Sequence, residues 1–514
     1  MSRTRRGKED MTRRTVNAAV DEFMRGCGGL ALTFDDVTLV TQYADFLPSA
    51  TTLETRFTRR VKLNIPFASA AMDTVTEARM AIEMARLGGI GVIHRGMEAA
   101  AQAKQVARVK HYLNGLISDP IVINENQTVD NVLTLHDEKG YKFMGFPVVN
   151  DEGILTGILT SRDIKYLKAT NVRVKEVMTR ELITAPPETS LSQAFEIMRQ
   201  HKVGKLPIVR RGKLVGLYSY TDVRNIIEGI EPLINRDANH RLRVAAAVGA
   251  NDHERAERLV AEHVDVLVVD TAHGHSKGVC EMVAWLKKKF PETDVVAGNV
   301  ATGEGARALM KAGADAIKVG VGPGSICTTR VITGVGIPQI TAVYEAVRAV
   351  QDAVPVISDG GIRHSGDVPK ALVAGASSVM MGSVLAGTDE SPGEKIIHQG
   401  RQYVVYRGMG SLGAMAACVS SRERYGQQDV GRTEKLVPEG IEGLVPYAGT
   451  VEGVVQQFAG GLRSSLGYNG CRTVEELRRR GQFRRITAAG VREAHPHDVL
   501  ITKDAPNYRT AVRS

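Results

Sequence analysis

Cys327 stands in KVGVGPGSICTTRVITGVGIPQI (318–340), a stretch rich enough in glycine for the backbone to close around a ligand or an ion. A thiol becomes a strong nucleophile once ionised, and a glycine-lined loop offers it backbone N–H groups and open access. An isolated intracellular cysteine is more often a buried small hydrophobe, so its role has to be read from its surroundings. Those surroundings are polar. Asp73, Asp270, Asn299, Cys327 and Asp359 each end, or directly follow, a short apolar run. Any one of them could cap a helix, but five at equivalent places point to a shared site.

Other chemistry is excluded by spacing. Gly320, Gly322 and Gly324 invite a dinucleotide-fold reading, yet Pro323 interrupts them and Ser325-Ile326-Cys327 follows where a helix is required. No P-loop pattern occurs. His273 and His275 have no further ligands at metal spacing and read as loop residues. SDGGI (358–362) and MGS (381–383) have the composition of a phosphate cradle, with backbone N–H groups and the Ser383 hydroxyl. Asp359 beside them is placed to accept hydrogen bonds from ribose hydroxyls, with the base directed toward Cys327.

The elements that must position these residues are eight apolar, β-branched runs at 65–73, 90–96, 242–250, 264–274, 294–302, 316–322, 355–361 and 378–385. Helix-patterned stretches such as ERAERLVAEH and GEGARALMKAGA separate most of them. Near-continuous apolar strands alternating with helices predict a parallel sheet buried on both faces. Eight such units predict an α/β fold closed as a (β/α)8 barrel, whose active site lies at the C-terminal ends of its strands.

The rhythm breaks between residues 113 and 235. There GFPVVNDEGILTGILTSRDI, ending at Asp163-Ile164, is echoed by GKLPIVRRGKLVGLYSYTDV, ending at Asp222-Val223. The expected organisation is an N-terminal extension (1–30), read as disordered, and a first barrel part (31–112). A tandem module follows (113–235, repeats about 117–170 and 174–230), then a second barrel part (236–514). The first 14 residues are polar and mostly basic, and Met11 leaves an alternative start.

The 514 residues carry a net charge of +9, but no basic stripe is interleaved with aromatics. A nucleic-acid partner therefore has little support, and small phosphorylated ligands account for the surplus equally well. Five cysteines, Cys27, Cys280, Cys327, Cys418 and Cys471, have no disulfide or metal spacing, which fits a reducing cytoplasm. No run is long enough to span a membrane and no secretory signal is present, so no membrane partner is expected.

The repeated segment resembles a tandem of cystathionine-β-synthase-type (CBS) domains, a Bateman module. That resemblance implies a purine nucleotide held in the cleft between repeats, with Asp163 and Asp222 on a ribose; the alternative is that both aspartates only cap their helices. Nearly the whole chain resembles the family of inosine-5′-monophosphate (IMP) dehydrogenases of bacterial type. LTFDDVTLV, SAAMDTVTEARMA, GPGSICTTR, SDGGI, YRGMGSLGAM, KLVPEGIEGLVPY, GGLRSSLGYNG and HDVLITKDAPNYR carry the likeness.

The resemblance implies that Cys327 attacks C2 of the purine of IMP. Hydride then passes to NAD, and water cleaves the resulting thioimidate to give XMP, with Thr329 helping to position that water. It places IMP against Ser69, Met72, Ser325, Asp359, Gly361, Gly382, Ser383, Tyr406, Met409, Gly410 and Glu439. NAD is implied beside Asp270, Asn299, Gly320 and Gly322. A monovalent cation, K+, is implied on carbonyls of Gly322, Gly324 and Cys327, completed by Glu493, Ala494 and His495 of a neighbouring subunit. A homotetramer follows, with an octamer left open.

The segment after Tyr406, about 407–447, resembles the family's mobile flap, with Arg424 and Tyr425 as its working pair. The chain departs from the common pattern at Gly426, at Arg422, a competing guanidinium, and at His94-Arg95-Gly96, where His-Lys-Asn is more familiar. Two other functions are weighed. One is GMP reductase, which shares the barrel and cysteine loop but usually lacks the Arg-Tyr flap. The other is a nucleotide-sensing assembly protein that has lost turnover.

Overall fold

A computed structural model of the chain describes residues 16–110, 112, 116–117, 120–139, 145–167, 169–228, 233–502 and 505–508. The polar residues 1–14, with Met11, lie outside the described residues. Two compact units are present, one comprising residues up to Lys110 together with Leu233–Asn235 and Leu242–Ser514, the other His111–Pro232 with Arg236–Arg241.

In the larger unit all eight apolar runs form strands: β1 (Phe67–Ser69), β2 (Ile90–Ile93), β3 (Val244–Val248), β4 (Val266–Asp270), β5 (Asp294–Val300), β6 (Ala316–Val319), β7 (Val356–Asp359) and β8 (Ser378–Met381). They pair in parallel and in sequence order, and β8 closes on β1 to complete the barrel. Alternation along each strand separates two apolar layers. Ala245 and Ala247 of β3 point inward with Ile90, Val92, Val266, Val268 and Met380. Val244, Ala246 and Val248 point outward against the helices. Of the strand residues only Asp359 is not fully buried, because β7 delivers it to the open end of the barrel.

Beyond β8, three antiparallel strands, β9 (Lys395–His398), β10 (Arg401–Arg407) and β11 (Glu442–Pro446), stand beside that end, with Tyr406 opposite Gly443. Two short helices, α1 (Leu412–Ala417) and α2 (Val419–Arg424), fill the long connection from β10 to β11. Ser411 caps α1 by accepting from the Ala414 N–H.

The extension read as disordered contains a helix, Ala18–Gly26. Asn17 caps it and donates from Nδ2 to the carbonyls of Arg478 (3.0 Å) and Gly481 (2.9 Å), while Val20 is buried. The polar first 14 residues dominated the reading and hid the apolar spacing of Val16, Val20 and Phe23.

The smaller unit contains the repeat as structure. The hairpin 145–149/155–160 and the hairpin 205–210/213–219 each shift register at the same place, Val148/Val149 and Ile208/Val209. Each leads into a short helix, at Ser161–Ile164 and Tyr220–Ile227. The Leu155 N–H donates to the Gly212 carbonyl at 3.0 Å, joining the two repeats. Among the described residues no helix is long and apolar enough to cross a membrane.

Candidate active site

A cavity of about 360 Å³ opens at the C-terminal ends of the barrel strands. The loop after β6 forms one wall. Arg330 ties this loop together by donating from Nε to the Val321 carbonyl (2.9 Å) and from Nη2 to that of Ile337 (2.6 Å). The guanidinium passes so close to Gly322 (φ +79°) that a Cβ there would stand 2.5 Å from Arg330 Cγ, so this position must be glycine. Cys327 is half-buried. Its Sγ lies 3.1 Å from Thr329 Oγ1 and 3.8 Å from the carbonyl of Glu439. A thiol with an adjacent hydroxyl therefore faces open space.

The opposite wall is built from the ends of β7 and β8. Asp359, Gly361, Gly382, Ser383, Ser325, Met72, Met409 and Tyr406 all border the cavity. Burial pushes the Tyr406 phenol well above its usual pKa, opposed by a hydrogen bond to Ser325 and supported by the Asp359 and Cys327 charges. Tyr406 is thus a neutral donor at any working pH, suited to an anionic or hydroxylated ligand.

Between the walls lies a polar cluster centred on Lys318, a residue the sequence reading missed. Lys318 is buried on β6, with Nζ 2.9 Å from Asp270 and 2.5 Å from Asp359. It also donates to Asn299 Oδ1. Asn299 Nδ2 in turn donates to the Gly320 carbonyl (2.7 Å) and to Asp359 (3.0 Å). The signal was available, since a lysine inside an apolar strand must find buried carboxylates.

The connection between β10 and β11 lies over this end of the barrel. The Arg424 carbonyl accepts from the Ala272 N–H at 3.2 Å, and its guanidinium pairs with Asp270. Burial lowers the Arg424 pKa from its usual value; Tyr425 opposes that shift and Arg95 adds to it. Burial raises the Tyr425 phenol, with Cys327 and Glu439 pushing the same way and Arg424 against. Gly410 is not on the cavity wall. It is the floor beneath Tyr425, where a Cβ would lie 2.5 Å from the ring carbon Cζ.

Several predicted residues lie elsewhere. Ser69 is fully buried behind the wall and accepts a hydrogen bond from Thr76 Oγ1 at 2.8 Å, because it lies on the face of β1 that Phe67 turns toward the helices. Asp73 pairs with Arg407 (2.6 Å) and braces β10. Arg422 turns away and donates to the Val430 carbonyl at 3.3 Å, so of these two flap arginines it is Arg424 that borders the cavity. Glu493, Ala494 and His495 do not border the cavity; His495 Nδ1 is 3.1 Å from the Tyr508 hydroxyl.

In the smaller unit the two aspartates differ. Asp163 accepts from the Thr160 N–H (2.7 Å), Thr160 Oγ1 (2.6 Å) and Thr179 Oγ1 (2.9 Å), as the N3 member of a capping box on Thr160. Asp222 is exposed, and the helix it opens has no side-chain cap.

The sequence profile of the IMP dehydrogenase / GMP reductase domain matches residues 31–497. The inosine-5′-monophosphate dehydrogenase of Aquifex aeolicus is 54% identical over 484 residues, 93% of this chain and 97% of that protein. That of Chlorobaculum parvum is 50% identical over 490 residues, 94% and 98% respectively. Among solved structures, a cysteine-to-alanine variant of GMP reductase from Trypanosoma brucei in complex with guanosine 5′-monophosphate superposes with a TM-score of 0.73 at 39% identity, covering 92% of this chain and 98% of that one.

Proposed function

The chain belongs to the IMP dehydrogenase / GMP reductase family and acts as an NAD-dependent IMP dehydrogenase, and from that premise we propose how its own residues divide the reaction. Cys327 Sγ adds to C2 of IMP, and the hydride on C2 leaves for NAD. Water then adds to C2 of the thioimidate, the C–S bond breaks, and XMP departs with the thiol regenerated. Splitting the oxidation through a covalent intermediate lets one cavity serve two difficult steps in turn.

Ser325, Gly361, Gly382, Ser383 and Tyr406 hold the phosphate, and Asp359 the ribose. Met72, Met409 and Glu439 border the base. Asp270, Asn299, Gly320 and Gly322 face NAD. The observation that carries this reading is the placement of Cys327 Sγ against Thr329 Oγ1 in the same cavity to which Arg424 is brought by Asp270. Because Asp270 is both the NAD-side acid and the partner of Arg424, the flap and NAD use the site in succession. Arg424 and Tyr425 then serve hydrolysis, with Thr329 orienting the water.

Backbone carbonyls of Gly322, Gly324 and Cys327 are the oxygen donors a potassium ion takes. The positive φ of Gly322 supports a carbonyl turned out of the ordinary run of the loop. Glu493, Ala494 and His495 would complete that site from a neighbouring copy, which requires a tetramer. The smaller unit is read as a Bateman module that binds a purine nucleotide at Asp222, since the Asp163 carboxylate is already taken by its cap. The cytoplasm is the compartment such substrates imply.

Absorbance of NADH on mixing the protein with IMP, NAD and potassium tests the assignment, with Cys327→Ala alongside. NADH and XMP should form with the native chain and not with the variant. Consumption of NADPH with GMP, and none of NADH formation with IMP, would move the chain to the reductase branch. Nucleotide binding without either turnover would leave the sensor reading.

A further inference from the structure

Arg95, two residues beyond β2, touches the chemistry so far only as a charge that adds to the lowering of the Arg424 pKa. Its side chain is only 5% exposed, and its Nη1 is shared by two carboxylates, Asp252 at 3.4 Å and Glu423 at 3.1 Å. Asp252 belongs to the barrel: its Oδ2 accepts from the Gly249 N–H at 2.9 Å and lies 3.2 Å from Arg255 Nε. Glu423 belongs to α2 and immediately precedes Arg424. Ser420, one turn earlier on the same face of α2, donates from Oγ to the Arg95 carbonyl at 2.7 Å. One barrel residue thus grips α2 by its side chain and its backbone.

Charge balance explains why the grip matters. Without Glu423, the buried guanidinia of Arg95 and Arg255 share the single carboxylate of Asp252, and a buried cation short of a partner is costly. Nor is there space for Arg95 to retreat beneath, since a Cβ on Gly249 would already stand 2.7 Å from its Nη1. Docking α2 supplies the missing negative charge and sets Arg424 and Tyr425 over the cavity. We propose that Arg95 is a positioning residue for the hydrolytic step, holding α2 docked through Glu423 and Ser420 so that Arg424 and Tyr425 face the covalent intermediate. This rests on the assignment of hydrolysis to the Arg424–Tyr425 pair.

Rapid mixing of the full-length enzyme with IMP and NAD separates the burst of NADH, which reports hydride transfer, from steady turnover, which requires hydrolysis. In Arg95→Met and in Glu423→Gln the burst rate and the KM for IMP should stay within about twofold of native, while steady turnover falls roughly tenfold. Arg95→Lys should recover most of the loss. The double variant should be no slower than either single one, because both remove the same contact. Glu423→Gln keeps the test open if Arg95→Met folds poorly. A burst that slows in parallel with turnover in Glu423→Gln, or turnover unchanged in both, overturns the proposal. Native hydrolysis in Arg424→Gln would instead overturn the flap assignment beneath it.

Discussion

Lys318 Nζ lies 2.5 Å from the Asp359 carboxylate, and the same nitrogen lies 2.9 Å from Asp270. A single buried cation therefore joins the acid at the end of β7 to the acid at the end of β4. Removing it leaves Asp359 with the Asn299 amide but no cation, and Asp270 with the Arg424 guanidinium alone. For Lys318→Met we expect a loss of stability of about 3 kcal/mol, the usual cost of breaking a buried pair from one side. Thermal unfolding measures that loss. Lys318→Arg should unfold closer to the native chain.

Thr329 Oγ1 is the nearest hydroxyl to the Cys327 thiol, at 3.1 Å. Replacing it with valine keeps the shape and removes the hydrogen-bonding group. Thr329→Val should retain its NADH burst and lose roughly a hundredfold in hydrolysis, within the range typical of a lost proton-handling group. A burst lost together with turnover would place Thr329 in thiol activation instead.

Gly410 supports the ring of Tyr425. Gly410→Ala puts a methyl 2.5 Å from Tyr425 Cζ, so the ring must move. Steady turnover should fall while IMP binding, measured by protection of Cys327 from alkylation, remains. If Gly410→Ala instead lost IMP protection, the residue would belong to the base-binding surface.

His94 beside Glu77 holds that carboxyl below the usual glutamate range, against the opposing effect of burial. The unfolded chain, with the higher pKa, binds the proton first as pH falls. The stabilisation is therefore complete above the ordinary glutamate value and disappears as pH drops through the lower folded value. Urea unfolding of the native chain and Glu77→Gln should differ above the ordinary glutamate value of about 4.3 and converge as the pH falls below it.

Asp163 and Asp222 sit at matching places in the two repeats but should behave differently on substitution. Asp163→Ala removes three side-chain hydrogen bonds, including the reach-back to the N-cap residue Thr160, and should destabilise the chain by about 1 kcal/mol. Asp222→Ala should leave stability unchanged and weaken the thermal shift produced by ATP or GTP. Equal loss of nucleotide response in both variants would contradict the one-sided reading.

The barrel was readable in the residues because its strands are short, apolar on both faces and separated by helix-period segments, all of which are local patterns. The cysteine loop was readable for a related reason: Gly322 and its neighbours record in composition a backbone that ordinary residues cannot follow. Lys318 was not, because inside an apolar strand it looks like an exception until β4, β5 and β7 bring Asp270, Asn299 and Asp359 around it. The same holds for Ser69, whose hydroxyl is engaged by Thr76, and for Gly410, whose constraint is the Tyr425 ring. Asp163 and Asp222 occupy the same motif position, yet only the folded arrangement shows that Thr160 and Thr179 occupy the first carboxylate while the second is exposed. Sequence by itself determined the barrel strands, their order and the candidate cysteine loop, since periodicity and glycine content act over a few residues. Tertiary structure alone decided which charges meet, because Arg95 and Glu423 are 328 positions apart and only the packing of α2 on the barrel gives each its partner.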